Sequence, residues 1–294
     1  MTFLAQQLLW GAVLPAMITL LVLVVSWRAW RRDGGSSHWA TPLALAVGYL
    51  FAHWRIVGLP LSFPPVDSNE WLFVVAIVAA VWGVVEHFAM KRVLLLSAIR
   101  ALLIAVLSWF VLRPLMGNVW KGASAYIWWL SLAAGWWLWW NLQARVAAKM
   151  PGIPVPLVLS MVAGGGGLVL LWSNSSSLSQ LSGAIAAVTG VLVPLVFWRR
   201  EGNMGTGGIA FVAGVLGLVW VNAIAFVPVP IWRIAVLALA SLTPLFANAL
   251  PPGWRQKTIW VTVAVSVFLT AVLLAGVMLP TYRAYVASAT TYGY

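Results

Sequence analysis

Cysteine is absent from the 294 residues. No disulfide, thiolate zinc site, iron–sulfur cluster or cysteine nucleophile is therefore available. Acidic residues are nearly absent too, at five Asp plus Glu. Only Glu86 falls well inside an apolar stretch. Intramembrane proteolysis by paired aspartates, or by a histidine–glutamate metal site, is thereby excluded. There is no Walker loop, no HExxH and no GxSxG, and no spacing favours Ser–His chemistry. No catalytic residue, metal or cofactor is expected. Charged residues of all kinds make up 7%, against about 25% in an ordinary soluble domain. That scarcity excludes a water-soluble globule, and it excludes a disordered chain, which needs the opposite composition.

What is present is apolar. Hydrophobic residues reach 63% and the mean hydropathy is +0.98. A bilayer core asks for about 20 consecutive apolar residues per helix. About ten stretches qualify: 7–27, 39–57, 71–90, 93–113, 123–141, 154–173, 178–198, 205–227, 231–250 and 258–280. They are continuously apolar and do not alternate, which argues against a β-barrel. The expected fold is an all-α polytopic transmembrane bundle, one integral membrane domain over 1–294 with short connections. MTFLAQQLLWGAV has no basic residue ahead of its apolar run, so it reads as a retained span and not as a cleaved leader.

Lys and Arg number seventeen and the net charge is +12. They sit singly or in pairs between apolar runs, a pattern of membrane topology and not of a nucleic-acid-binding face. Numbering the connections alternately puts eleven on one side (Arg28, Arg31, Arg32, Lys91, Arg92, Arg145, Lys149, Arg199, Arg200, Arg255, Lys257). Arg113, Lys121, Arg233 and Arg283 fall on the other. The bias predicts a multi-pass protein of the cytoplasmic (inner) membrane with both termini outside. Membrane lipid is the expected partner, with a protein partner or a second copy against the helix faces, and no nucleic acid. Twelve of the twenty-one tryptophans, Trp139 and Trp140 among them, fall near predicted span ends and read as interface anchors. The fifth stretch also carries Trp128, Trp129, Trp136 and Trp137, which read as a lipid-facing belt or as a cavity wall.

Ionisable groups inside a span need a partner or a task. Glu86 and Arg100 are each seven residues from Val93, near the turn joining spans three and four. They reach similar depth on neighbouring antiparallel helices, and an Arg–carboxylate pair is expected. It serves either as a structural tie or as a gate. Arg55 near the other membrane face reads as a snorkelling or rim-paired cation.

Backbone irregularity marks the candidate substrate site: Gly164, Gly165, Gly166 and Gly167 in span six, with Pro194 in span seven. Broken spans expose backbone groups at the midplane of many transporters, and small residues also serve plain helix packing. Gly183, Ala187 and Gly190, and Ala210, Gly214 and Gly217, form comparable stripes. The proline-rich stretch KMPGIPVP near residue 150 allows two five-span halves, 1–150 and 151–294, of opposite orientation.

Ten short-looped spans in about three hundred residues resemble the drug/metabolite transporter superfamily in size and count. The outside termini depart from the arrangement usual there. KRVLLLSAIRALLIAVLSWFVLRP, Lys91–Pro114, resembles the membrane segment of membrane-anchored von Willebrand A-domain proteins, without their soluble domain. Neither likeness assigns a residue. Two functions remain in view: a small-molecule or ion permease, which requires a polar cavity, and a non-transporting membrane scaffold or accessory subunit, which requires a filled interior.

Overall fold

The computed structural model describes residues 3–30, 37–60, 62–89, 92–150, 152–198, 204–227, 229–248 and 259–291. Arg31, Arg32, Lys91, Arg199, Arg200, Arg255 and Lys257, which carry much of the sidedness expectation, lie outside them. All regular elements among the described residues are helical.

The first rod, α1, covers 3–30. It is α-helical over Phe3–Leu8, π-helical over Leu9–Val13 and α-helical again over Leu14–Trp30. The wide segment lies just ahead of Pro15, which has no N–H to offer the preceding turn. Next come α2 (Thr41–Ile56, entered by the 3-10 turn Ser37–Ala40), α3 (Glu70–Phe88), α4 (Val93–Asn118) and α5 (Ala123–Lys149). They are followed by α6 (Pro154–Trp172) and by α7 over 176–198, broken at Val191 into Ser176–Gly190 and Leu192–Trp198. Then come α8 (Gly205–Phe226), α9 over 231–248, broken at Ser241–Leu242, and α10 (Ile259–Thr291).

Seven of these are long and apolar enough to cross a membrane: 6–26 of α1, then α3, α4, α6, α7, α8 and 260–288 of α10. The other three expected spans hold helix that falls short on a different count each. In α2 it is length, at 16 residues. In α9 it is continuity, since Ile231–Ala240 ends at the break. In α5 it is composition: 27 residues that include six tryptophans, Asn141, Gln143, Arg145 and Lys149. The figure of about ten crossings is thus met for seven.

The bundle is built around α8, of whose apolar window 83% is buried. A helix that is apolar all round has no face suited to solvent, and it becomes the core. It packs on α3, α5, α2 and α7. The crossing with α3 is backbone to backbone. A Cβ placed on Gly207 would sit 2.5 Å from the Gly83 carbonyl oxygen, and the reverse holds for Gly83. Where α5 meets α8, the Trp136 indole lies over Gly217 and donates to the Ala213 carbonyl at 2.8 Å. Only a residue without a side chain lets the ring reach that backbone.

Three of the tryptophans expected as anchors, Trp71, Trp139 and Trp140, prove otherwise, while Trp54, Trp198, Trp232 and Trp260 are exposed. Trp139 and Trp140 are buried in the core, and so are Trp71 and Trp136. Each is large enough to fill the gaps left by small residues on a neighbouring helix. The α5 belt is split, with Trp128 exposed while Trp136, Trp139 and Trp140 face inward.

The second half is tied by hydroxyls. Ser160 of α6 donates to the Ala186 carbonyl of α7 at 2.8 Å, and Ser182 of α7 donates back to Ala163 of α6 at 2.7 Å. On α10, Thr270 meets Thr243 of α9 at 2.6 Å. Without water in the bilayer core, polar groups must find such partners within the protein.

Candidate functional site

The third turn of α4 and the last turn of α3 bring the two intramembrane charges together. Arg100 donates from Nε to Glu86 Oε1 at 2.6 Å and from Nη2 to Oε2 at 2.7 Å. The pairing is therefore bidentate, the geometry a planar guanidinium offers a carboxylate. Glu86 is fully buried and Arg100 is 5% exposed. Trp82, one turn before Glu86 on the same face of α3, donates its indole N–H to Oε1. From α5, Asn141 Oδ1 accepts from Arg100 Nη1 at 2.9 Å, and its own Nδ2 donates to the Trp137 carbonyl at 2.8 Å. That second bond fixes which way the amide points. The Trp140 ring lies 6.0 Å from the guanidinium carbon. Three helices thus converge on one charge pair, with three of the five guanidinium N–H groups in use.

The pair forms the floor of a cavity of about 340 Å³ between α4 and α5. Ser97, Asn141, Arg145 and Thr206 add polar groups to its wall. The Thr206 hydroxyl is buried without a hydrogen-bond partner. Val93, Leu94 and Leu138 line the rim and are exposed apolar side chains. Val93 and Leu94 belong to the first turn of α4, so this part of the lining lies at the end of that helix. A second cavity, about 260 Å³, is apolar and lies between α5, α8 and α9, with Trp136, Trp139 and Trp220 in its wall. A third, about 320 Å³, lies at the opposite end of the bundle among Ser68, Asn69, Ser173, Asn174 and Ser175.

The glycine run does not line any of these cavities. Gly165, Gly166 and Gly167 are buried. Gly165 lies under Leu274 of α10, and Gly167 faces the Ser179 carbonyl of α7. Gly164 lies nearest the Ala186 methyl. At Gly165 and Gly167 neighbouring helices come too close for a side chain, whereas Gly164 and Gly166 make ordinary contacts. Pro194 is exposed on α7, in the short helix Leu192–Trp198 that follows the break at Val191.

Near the opposite end, Arg55 lies over the Trp10 ring with its guanidinium carbon 4.0 Å from the centroid. Trp10 belongs to the π-helical segment of α1, so the wide turn supplies the aromatic face for the cation. Also there, His53 Nε2 meets the Asn69 carbonyl at 2.9 Å, and Asn222 Nδ2 donates to the Ser68 carbonyl at 3.1 Å. These two buried side chains hold the loop between α2 and α3 from beneath. At the basic end, His38 lies in the turn before α2. Burial, and then the neighbouring His87 imidazole, hold its pKa below the ordinary range.

Trp82 and Asn141 escape a reading of the sequence alone. Trp82 sits mid-span among apolar residues, and its link to Glu86 is visible only as an i, i+4 spacing. Asn141 sits at a predicted span end, where an amide needs no explanation. Gln143, two residues on, donates to Ser241 Oγ, as does Trp139 at 2.9 Å. Both bonds land at the break in α9. No family model matches this chain, and neither does any curated protein or solved structure.

Proposed function

We propose that the chain is a ten-crossing permease of the cytoplasmic membrane, with its basic connections in the cytosol, and that its working site is the cavity between α4 and α5. The observation that carries this reading is the buried Glu86–Arg100 pair in a cavity wall, formed between the last turn of α3 and the third turn of α4. Intramembrane ionisable residues are costly and concentrate where a solute or ion passes. This reading places the working site away from the glycine run and takes that run as helix packing.

Part of the helix pairing supports two related halves, while the α6–α10 and α5–α8 packing has no counterpart of similar extent among the described residues. α3 packs on α8 and α2 on α7, while the α1–α2 and α4–α5 pairs have counterparts in α6–α7 and α9–α10. These are the pairs that five-helix halves related by a two-fold axis would make. A non-transporting scaffold is the second reading, and the filled interior around α8 favours it.

The chain offers a cysteine-free background in which to decide. Ser97→Cys places one thiol in the cavity wall, and Val162→Cys places one in the packed core. In intact membranes a water-soluble maleimide should modify the first and spare the second. A Ser97→Cys protein that reacts no faster than Val162→Cys removes the permease reading and leaves the scaffold.

A further inference from the structure

The cavity between α4 and α5 has a chemical bias that the permease reading does not use. Its floor is neutral, because Glu86 and Arg100 answer each other at 2.6 Å. The remaining ionised group in its wall is Arg145, which is exposed. Arg92 precedes the first turn of α4, and Lys149 lies one turn beyond Arg145 on α5; both are exposed. Glu86 is the only acid in the wall, and Arg100 holds it. The rim carries the opposite character: Leu94 is 87% exposed, Val93 66% and Leu138 54%. A cationic edge beside an apolar opening between two membrane helices matches one ligand type, a lipid with an anionic head group. A small hydrophilic anion would have no use for the rim, and a neutral lipid none for the arginine.

We propose that this cavity holds an anionic phospholipid drawn sideways from the leaflet at the basic end, its phosphate against Arg145 and an acyl chain between Leu94 and Leu138. The inference rests on the α4–α5 cavity being the working site, and it names the class of molecule that the site takes. Basic pockets between membrane helices on the cytoplasmic side hold lipid phosphates in this way.

The test uses the full chain in detergent, titrated with phosphatidylglycerol and separately with phosphatidylcholine, with bound lipid counted by native mass spectrometry. Phosphatidylglycerol should bind with clear preference. Arg145→Gln should weaken it about five-fold, the effect of one cation near a lipid phosphate. Arg113→Gln, an exposed arginine at the opposite end of α4, should leave it unchanged. Equal binding of the two lipids overturns the proposal. So does an equal loss in Arg113→Gln, which would mean general charge attraction. Displacement by free glycerol phosphate at matching concentration overturns it too, since the head group alone would then be the ligand. Ser97→Cys labelling, repeated in phosphatidylcholine vesicles that hold no anionic lipid, reads the permease proposal separately. A reactive cavity with no lipid preference keeps the permease reading while ending this one.

Discussion

Glu86 and Arg100 show what a membrane interior does to a charge. Either one alone would be desolvated without compensation; together they satisfy each other through two bonds of 2.6 and 2.7 Å. Glu86→Gln and Arg100→Gln should each cost about 3–5 kcal/mol, the penalty for orphaning a buried partner. The double substitution should cost clearly less than the two together. Thermal unfolding of the four proteins in detergent measures this, and strict additivity would mean the two side chains do not interact. His38 gives a second residue-scale expectation. Its folded pKa is lowered from 6.5, so the unfolded chain binds the proton more tightly. Stability is then complete above about pH 6.5 and declines as the pH falls below it. The melting temperature should drop more between pH 7 and pH 5 in the natural protein than in His38→Gln. Parallel curves would show that the imidazole does not contribute.

Helices in this protein meet through what they leave out. α3 and α8 touch at Gly83 and Gly207, where any side chain would strike the other helix's carbonyl. Gly207→Ala should cost about 1–3 kcal/mol, since two backbones would have to part. Gly276→Ala on α10 is the matched control. No atom lies within 4 Å of where that methyl would go, and alanine favours a helix by about 0.5–1 kcal/mol over glycine. Opposite shifts in melting temperature are expected, and equal losses would refute the role assigned to the α3–α8 crossing. α5 makes the same point with large residues. Two of its inward tryptophans, Trp136 and Trp139, donate their N–H groups to the Ala213 carbonyl and to Ser241, while the buried Trp140 N–H has no hydrogen-bond partner.

For the molecule as a whole, sidedness is the property on which the proposed function turns. The connections rich in Lys and Arg should lie in the cytosol because positive loops are retained there. Single cysteines at Lys149 and at Ser124, near the two ends of α5, test it directly. An impermeant maleimide applied outside intact cells should modify Ser124→Cys and not Lys149→Cys. The reverse pattern would invert the protein, and labelling of both from one side would remove α5 as a crossing. The three helices that fall short by length, continuity or composition are all packed into the bundle: α2 against α1, α3, α7 and α8, α5 against α4 and α8, α9 against α10. A helix covered by protein can be shorter than one facing lipid, as α2 is with nine of its 16 residues buried.

The sequence by itself determined the class of object, because hydrophobicity and charge are sums over residues and need no geometry. It also set the depth of Glu86 and Arg100, since both count back from the same turn. Pairwise contact is a different quantity. What comes to lie over Gly164–Gly167 is not written in the run itself: Leu274, more than a hundred residues away, packs against Gly165. Asn141 gains its role only when α5 brings it to Arg100, and Trp140 lies in the core with its ring beside Gly214 of α8. Side chains of one type serve as anchor, belt or core according to the neighbour they meet, and only the tertiary structure assigns the neighbours.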